Sequence, residues 1–354
     1  MFHGLSLLPD CAPATKGPDD YFRDVLLLSR LADQGGMSHV KMTEHYLGAY
    51  GGYCPSPLAF LAAVATVTSR IRLMTGCLLP VFHHPVQLAS ETAMVDAVSG
   101  GRLDVGFARA YLPQEFAAFQ VPLDGSRERF TTTVQTVLRL WTEEGLSVDT
   151  PFFGFRDVTT LPRPVQRPHP PVWIAAVRSR SSFAWIGEQG YNLLVTPALT
   201  PLAEMSDHIA VYREAHADAG HPHPPRVAAS LPLYVGDTDE EACRIADPLL
   251  RAYLEVWAAA ADSWGSAVSG DYRGYTGMSR AIRALDPVSF RTMGSAVVGA
   301  PATVAERIEE ISEALGADGF LWQMDFGAVP GEVAVAGLER FLDKVLPALP
   351  AGRS

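Results

Sequence analysis

One pattern restricts the fold of this chain more than any other. Short apolar runs rich in β-branched residues alternate with segments of helical spacing, over and over, with no hairpin signal between successive runs. The runs predict strands over 2–8, 39–43, 71–79, 103–107, 172–176, 191–195, 227–235 and 319–324. The spacing predicts helices between them over 21–32, 57–69, from Pro85 onward, 127–141, 181–189, 202–219, 238–257 and 304–315. Phe130, Val134, Val137, Leu138 and Trp141 mark one face of the fourth of these. Thr238 with Glu241, and Thr303 with Glu306, read as capping boxes, and a last helix is expected over 332–346. Parallel strands need crossover connections, so eight such units imply an α/β fold: a closed (β/α)8 TIM barrel forming a single domain over 1–354. Two departures from the plain alternation are expected. Residues 143–171, after the fourth helix, read as an irregular insertion, because Pro162, Pro164, Pro168, Pro170 and Pro171 exclude regular structure. Residues 262–277, rich in Gly, Ser and Tyr, read as a mobile loop before the last strand-helix unit.

Charge and cysteine usage narrow the class of function. Lysine plus arginine number 28 against 39 aspartate plus glutamate, a net of −11, and there is no basic block. Nucleic acid and acidic membrane surfaces are therefore poor partners, and small-molecule chemistry is favoured. Cys11, Cys54, Cys77 and Cys243 are scattered without the spacing of a zinc site or a disulfide framework, which fits a reducing cytoplasmic setting. The apolar patch at 5–8 is too short for a signal peptide, and no window approaches the ~20 apolar residues of a membrane span.

In a barrel of this kind the reactive groups sit just past the carboxyl ends of the strands. The second strand leads into Glu44-His45-Tyr46, where the imidazole can act as acid, base or hydrogen-bond donor, or serve only in structure. His83-His84-Pro85 follows the third strand without metal-ligand spacing, so it reads as a helix-starting turn and no metal is expected. Ser99-Gly100-Gly101-Arg102 precedes the fourth strand, which delivers Arg109 to the rim. After the fifth, Arg178-Ser179-Arg180-Ser181-Ser182 runs straight into a helix. Hydroxyls, arginines and free N–H groups there exceed what one cap requires and point to an anion, in barrels usually a phosphate.

The order of these motifs resembles the bacterial luciferase-like family of flavin-dependent monooxygenases over nearly the whole chain. The carrying segments are Thr43-Glu44-His45-Tyr46, Thr75-Gly76-Cys77-Leu78-Leu79-Pro80 with His84-Pro85, residues 96–106 with their Ser-Gly-Gly-Arg core, residues 162–168, and the ending at 345–349. The resemblance implies that His45 lies near the reactive face of a flavin, with Glu44 and Tyr46 tuning it. It implies that Gly76-Cys77 is a non-prolyl cis peptide buttressing the ring, and that Arg109, Arg127, Ser179 and Ser182 hold the flavin phosphate. Arg178 stands where luciferase has a glutamate and adds positive charge there. Luciferase carries a reactive cysteine where this chain has Ala108, and a second histidine where it has Tyr46, so light emission is not implied.

The expected activity is oxygenation of a small organic substrate by reduced FMN and O2 through a flavin hydroperoxide. A separate flavin reductase would supply the FMN, and residues 262–277 would close over the site. One branch of the superfamily uses the deazaflavin F420 for hydride transfer, which keeps that cofactor open. A non-catalytic flavin-binding partner subunit is the third reading. A homodimer through the helices after strands two and three is also implied, where Ala62, Ala63 and Ala65 permit close approach. Phe2, Leu8, Phe107, Trp173 and Trp322 are candidates for an apolar cavity wall, and the substrate itself is not legible.

Overall fold

The computed structural model describes residues 1–350. Eight parallel strands form a closed barrel: Phe2–Leu7, His39–Met42, Arg72–Thr75, Leu103–Phe107, Val172–Ala176, Asn192–Val195, Val227–Val235 and Gly319–Gln323. Each pairs with the next in chain order. The eighth then lies between the seventh and the first, and pairing of the sixth with the seventh closes the ring. Helices cover the outside, and strands sandwiched between them and the interior are buried on both faces, which is why they read as continuous apolar runs.

Strand parity sorts the side chains into two cores. Met74, Trp173, Leu194, Ala228 and Leu321, with Phe2, fill the barrel interior. Phe107 and Trp322 are offset by one residue from inward positions and so join the larger core between barrel and helices, while Leu8 joins a third cluster beside the helix Asp239–Ala261. The expectation that these five residues wall the cavity is therefore corrected, because parity sends Phe107 and Trp322 outward and depth places Phe2 and Trp173 below it. At the barrel base Asp104 receives Trp173 Nε1 at 3.0 Å and Arg72 Nε at 2.7 Å, with His39 Nε2 at 3.4 Å. Burial pushes that carboxyl up, but the neighbouring His39 and Arg72 outweigh it and hold it below the usual carboxylate range.

Several elements differ from the sequence expectation. The insertion at 143–171 holds an antiparallel hairpin, Leu146–Asp149 with Gly154–Val158, because Pro151 falls in the turn between these strands and its other prolines, from Pro162 on, all lie beyond the second. The third barrel strand ends at Thr75, and Leu78 returns only as an isolated bridge to Phe107. A short strand, Val297–Gly299, pairs with the seventh barrel strand outside the ring, and the helices Met278–Arg283 and Pro287–Thr292 precede it. The helix expected from Thr303 starts at Pro301 instead. Thr303 does not cap it; Asp239, from the start of another helix, accepts from Ala300 N at 2.7 Å and Thr303 Oγ1 at 3.0 Å. Thr238 does cap its own helix, accepting from Glu241 N at 3.1 Å, while Glu241 reaches back to Asp237 N at 2.8 Å. The last helix is regular over Gly331–Arg340 and continues as a wider π turn over Phe341–Val345. Residues 262–277 fold into two short 3-10 turns, Asp262–Gly265 and Gly270–Tyr272, that bury Trp264 and Tyr272.

Candidate active site

The strand ends converge on a cavity of about 260 Å³, at the small end of ordinary small-molecule sites. It is lined by Glu44, His45, Gly76, Cys77, Arg109, Arg178, Ser179 and Ser182. Eight of the ten residues singled out from the sequence thus meet at one place. Arg127 reaches the same place through Ser182, donating from Nη2 to its Oγ at 2.5 Å. Tyr46 does not line the cavity; it packs among Phe82 and Phe119 and donates its hydroxyl to Glu44 Oε1 at 2.7 Å.

Glu44 is buried and fully engaged. Its Oε1 accepts from Tyr46 and from His83 Nε2 at 2.7 Å, and its Oε2 from Leu79 N at 3.0 Å. Burial pulls the His83 imidazole down, but the Glu44 carboxylate outweighs it and holds the group above its ordinary value. Burial, reinforced by Glu44, pushes the Tyr46 phenol well up. With those three bonds made, Glu44 fixes the loop that carries His45.

His45 is held from behind by a residue the sequence reading missed. Nδ1 lies 3.0 Å from Glu115 Oε1, which also accepts Tyr46 N at 2.8 Å. A carboxylate acceptor assigns the proton to Nδ1 and leaves Nε2, which has no partner among the described residues, as the ring nitrogen available to the cavity. Glu115 has no exposed surface and its Oε2 is unpartnered. Gly51, at φ +78°, makes room for the ring, since a Cβ there would sit 2.5 Å from His45 Cβ. In the sequence, Pro113-Gln114-Glu115 looks like an ordinary acidic first turn of the helix Pro113–Ala118; the only signal of burial was its apolar flanks, Leu112 and Phe116.

The peptide joining Gly76 and Cys77 is cis. Neither Gly76 nor Gly106 tolerates a side chain: a Cβ on Gly76 would lie 2.1 Å from the Lys41 stem, and one on Gly106 2.2 Å from Thr75 O. Burial pushes the Cys77 thiol up to about 12, so it stays protonated.

Arginines gather at the other side of the mouth. Arg109 lies with its guanidinium carbon 4.1 Å from the Tyr272 ring centre and donates Nη2 to Asp271 O at 2.9 Å, while its Nη1 is buried without a partner. Burial and then Arg109 itself lower the Arg127 guanidinium. Two crowded cations, an unpartnered donor, and the serines at the start of the helix Arg180–Glu188 fit an anion such as a phosphate. The Tyr272 hydroxyl donates to Ala110 O, which ties the 262–277 segment over this pocket. Tyr50, Tyr111, Trp257, Tyr272, Tyr275 and Met278 supply the apolar wall. These come from distant segments that no spacing rule connects. Among the described residues no three His, Cys, Asp or Glu side chains converge as metal ligands. His83 is taken by Glu44, and the His84 side chain caps its helix.

A (β/α)8 barrel here brings a carboxylate-anchored histidine and an arginine-serine pocket that fits an anion into one cavity. The description "Luciferase-like monooxygenase" matches residues 2–319, and the chain belongs to that family. It is similar, at 27% identity over 92% of this chain and 89% of the other, to the oxygenase component of the flavin-dependent trigonelline monooxygenase of Acinetobacter baylyi. The crystal structure of the monooxygenase RslO1 from Streptomyces bottropensis superposes with a TM-score of 0.85 at 36% identity, covering 98% and 99% of the two chains. The FMN complex of the oxygenating constituent of 3,6-diketocamphane monooxygenase from Pseudomonas putida shares the fold, with a TM-score of 0.81, 21% identity and 99% of each chain covered.

Proposed function

We propose that this chain is the oxygenase of a two-component system, taking reduced FMN from a separate reductase and using O2 to oxygenate a small organic substrate. The observation that carries the reading is the pairing, in one cavity, of a His45 Nε2 with no protein partner and the unpartnered Arg109 Nη1. The relative named as an oxygenase component supports the separate reductase. In this reading Arg109, Arg127, Arg178, Ser179 and Ser182 hold the FMN phosphate, and the Gly76–Cys77 peptide backs the ring. Reduced flavin, when bound, supplies the two electrons that take one oxygen atom of O2 to water while the other enters the substrate. His45 holds or delivers a proton from Nε2, with Glu115 fixing its tautomer and compensating the charge when Nε2 is protonated. Glu44 and Tyr46 act on His45 by holding its loop. Trp257, Tyr272 and Tyr275 exclude water from the reacting atoms, and the apolar wall fits an aromatic or otherwise apolar substrate.

The test is rapid mixing of anaerobic protein and reduced FMN with oxygenated buffer. A protein-dependent absorbance phase that outlasts reoxidation of free flavin is expected. Reoxidation at the free-flavin rate would overturn the oxygenase reading. Turnover without O2 on F420 would assign the cavity to hydride transfer, and binding of oxidised flavin with no turnover at all would make the chain a non-catalytic partner.

A further inference from the structure

Beneath this cavity the barrel interior changes character. The middle layer is apolar, but the layer directly above it carries Ser6, Lys41, Ser230 and Gln323. Ser6 pairs in register with Lys41 on one side and Gln323 on the other, which makes the three inward-facing neighbours. Lys41 Nζ donates to Ser6 Oγ at 2.9 Å, to Ser230 Oγ at 3.3 Å and to Thr43 Oγ1 at 3.5 Å. Its partners are all neutral hydroxyls. Nearby, Gln323 Nε2 is buried with no partner.

A buried ammonium without a counter-ion is an unusual choice for a barrel layer, since desolvation penalises the charged form and an apolar side chain would fill the same space. Burial lowers the Lys41 ammonium only to about 8, so it remains mostly charged at neutral pH. The structure also accommodates it at a price in freedom elsewhere, because its stem occupies the space a side chain at position 76 would need. Lys41, Thr43, Gly76 and Cys77 all line the cavity, so this charge lies at the cavity floor. The arginine-serine pocket follows the fourth and fifth strands, two and three positions round the ring from the second. The cavity therefore has two separate positive sites: one at its mouth suited to a phosphate, and one at its floor with no anion of its own.

We propose that Lys41 makes this cavity select a ligand with a second negative centre in its ring, the anionic reduced flavin, over the neutral oxidised flavin. This rests on the flavin reading above and deepens it. Both forms carry the same phosphate and meet the same arginines; they differ in the ring, where reduction adds a hydrogen at N5 and a negative charge, so the mouth cannot select by charge and the floor can.

The experiment compares wild type with Lys41→Met and Lys41→Gln by oxidised FMN titration, anaerobic titration with reduced FMN, and the midpoint potential of the bound flavin. Wild type should bind the reduced form more tightly and hold the flavin at a more positive potential than free FMN. Lys41→Met should cut the preference by about tenfold or more, with each factor of ten lowering the two-electron potential by about 30 mV. Oxidised FMN affinity should change far less. Lys41→Gln keeps a donor without the charge, so it should behave like Lys41→Met, and it stands in if the methionine variant does not fold. Equal wild-type affinity for the two forms would overturn the proposal without any variant. So would a preference that both substitutions leave unchanged, with the flavin reading intact. If wild type binds neither form, the flavin reading falls and this inference with it.

Discussion

Glu115 shows what a single side chain contributes that no motif announces. It anchors His45 Nδ1 and the Tyr46 amide with one oxygen, from a position with no exposed surface. Replacing it with Gln keeps the size and one acceptor but removes the charge opposite the imidazole. Turnover should fall at least about tenfold, in the range general acid-base groups contribute, and its pH profile should shift while FMN affinity stays within about twofold. Unchanged turnover and pH profile would reduce Glu115 to a packing role. A second carboxyl pair acts on stability. Asp325 accepts from Tyr21 Oη at 2.7 Å and Leu8 N at 3.0 Å, and Asp10 is bound by the Gly327 and Ala328 amides. Burial, and for Asp325 the neighbouring Asp10, push these carboxyls up to about 8 and about 7 from 3.8. The folded state thus binds protons more tightly than the unfolded one. The stability this contributes is full below pH 4 and is lost as pH rises through 7 and 8. Asp325→Asn keeps an acceptor for Tyr21 and Leu8 and cannot ionise. Urea unfolding at pH 6 and pH 9 should show wild type losing more stability than the variant over that interval, by on the order of 1–3 kcal/mol. Parallel losses in both proteins would contradict the assignment.

The elements themselves were largely legible, and the misreadings have physical causes. All eight barrel strands and the helices between them were expected because burial on both faces leaves a continuous apolar run and the helices keep a 3.6 period. The hairpin at 146–158 was hidden because its outer strand is partly exposed and has a polar sequence, Gly154-Phe155-Arg156-Asp157-Val158, so neither alternation nor an apolar run marks it. The short strand Val297–Gly299 offers three residues to a pattern that needs more. Thr303 misled because the cap of its helix comes from another chain segment. A capping box is a local motif, whereas Asp239 reaches Ala300 N across 61 positions. Asp239→Ala should remove both contacts and lower stability by about 1 kcal/mol, the ordinary worth of an N-cap, although Asp239 belongs to a different helix. A urea midpoint unchanged within error would show that water replaces the carboxylate without loss. In the site, residues adjacent to strand ends could be placed from the sequence because a barrel always presents them there. Glu115, Tyr50, Trp257 and Tyr275 could not, because what joins them is the folding of distant loops over one mouth.

At the scale of the whole molecule, barrel closure decides which surfaces remain unsatisfied. Most helices turn their apolar faces inward, yet Val67, at the end of the helix Pro57–Val67, is 43% exposed, and Met94 and Val98 on the helix Pro85–Val98 are 50% and 56% exposed. These two helices pack side by side, so the exposed residues lie on neighbouring elements rather than as isolated surface side chains. Ala62, Ala63 and Ala65 lie on the first of them, and small residues let two helical surfaces approach closely. The charge balance of −11 opposes random association between copies, so a stable dimer needs a local apolar contact that outweighs that repulsion. We propose a homodimer through this pair of helices. A carboxylate at position 94 would then be desolvated in both copies at once, with no counter-ion there from the protein's own prevailing charge. Met94→Glu should therefore convert a dimer to a monomer at micromolar concentration in sedimentation velocity, while the isolated barrel, whose Met94 already faces solvent, keeps its thermal midpoint to within a few degrees. A wild type sedimenting as a monomer would remove the dimer altogether, and a variant remaining dimeric would move the contact to another face.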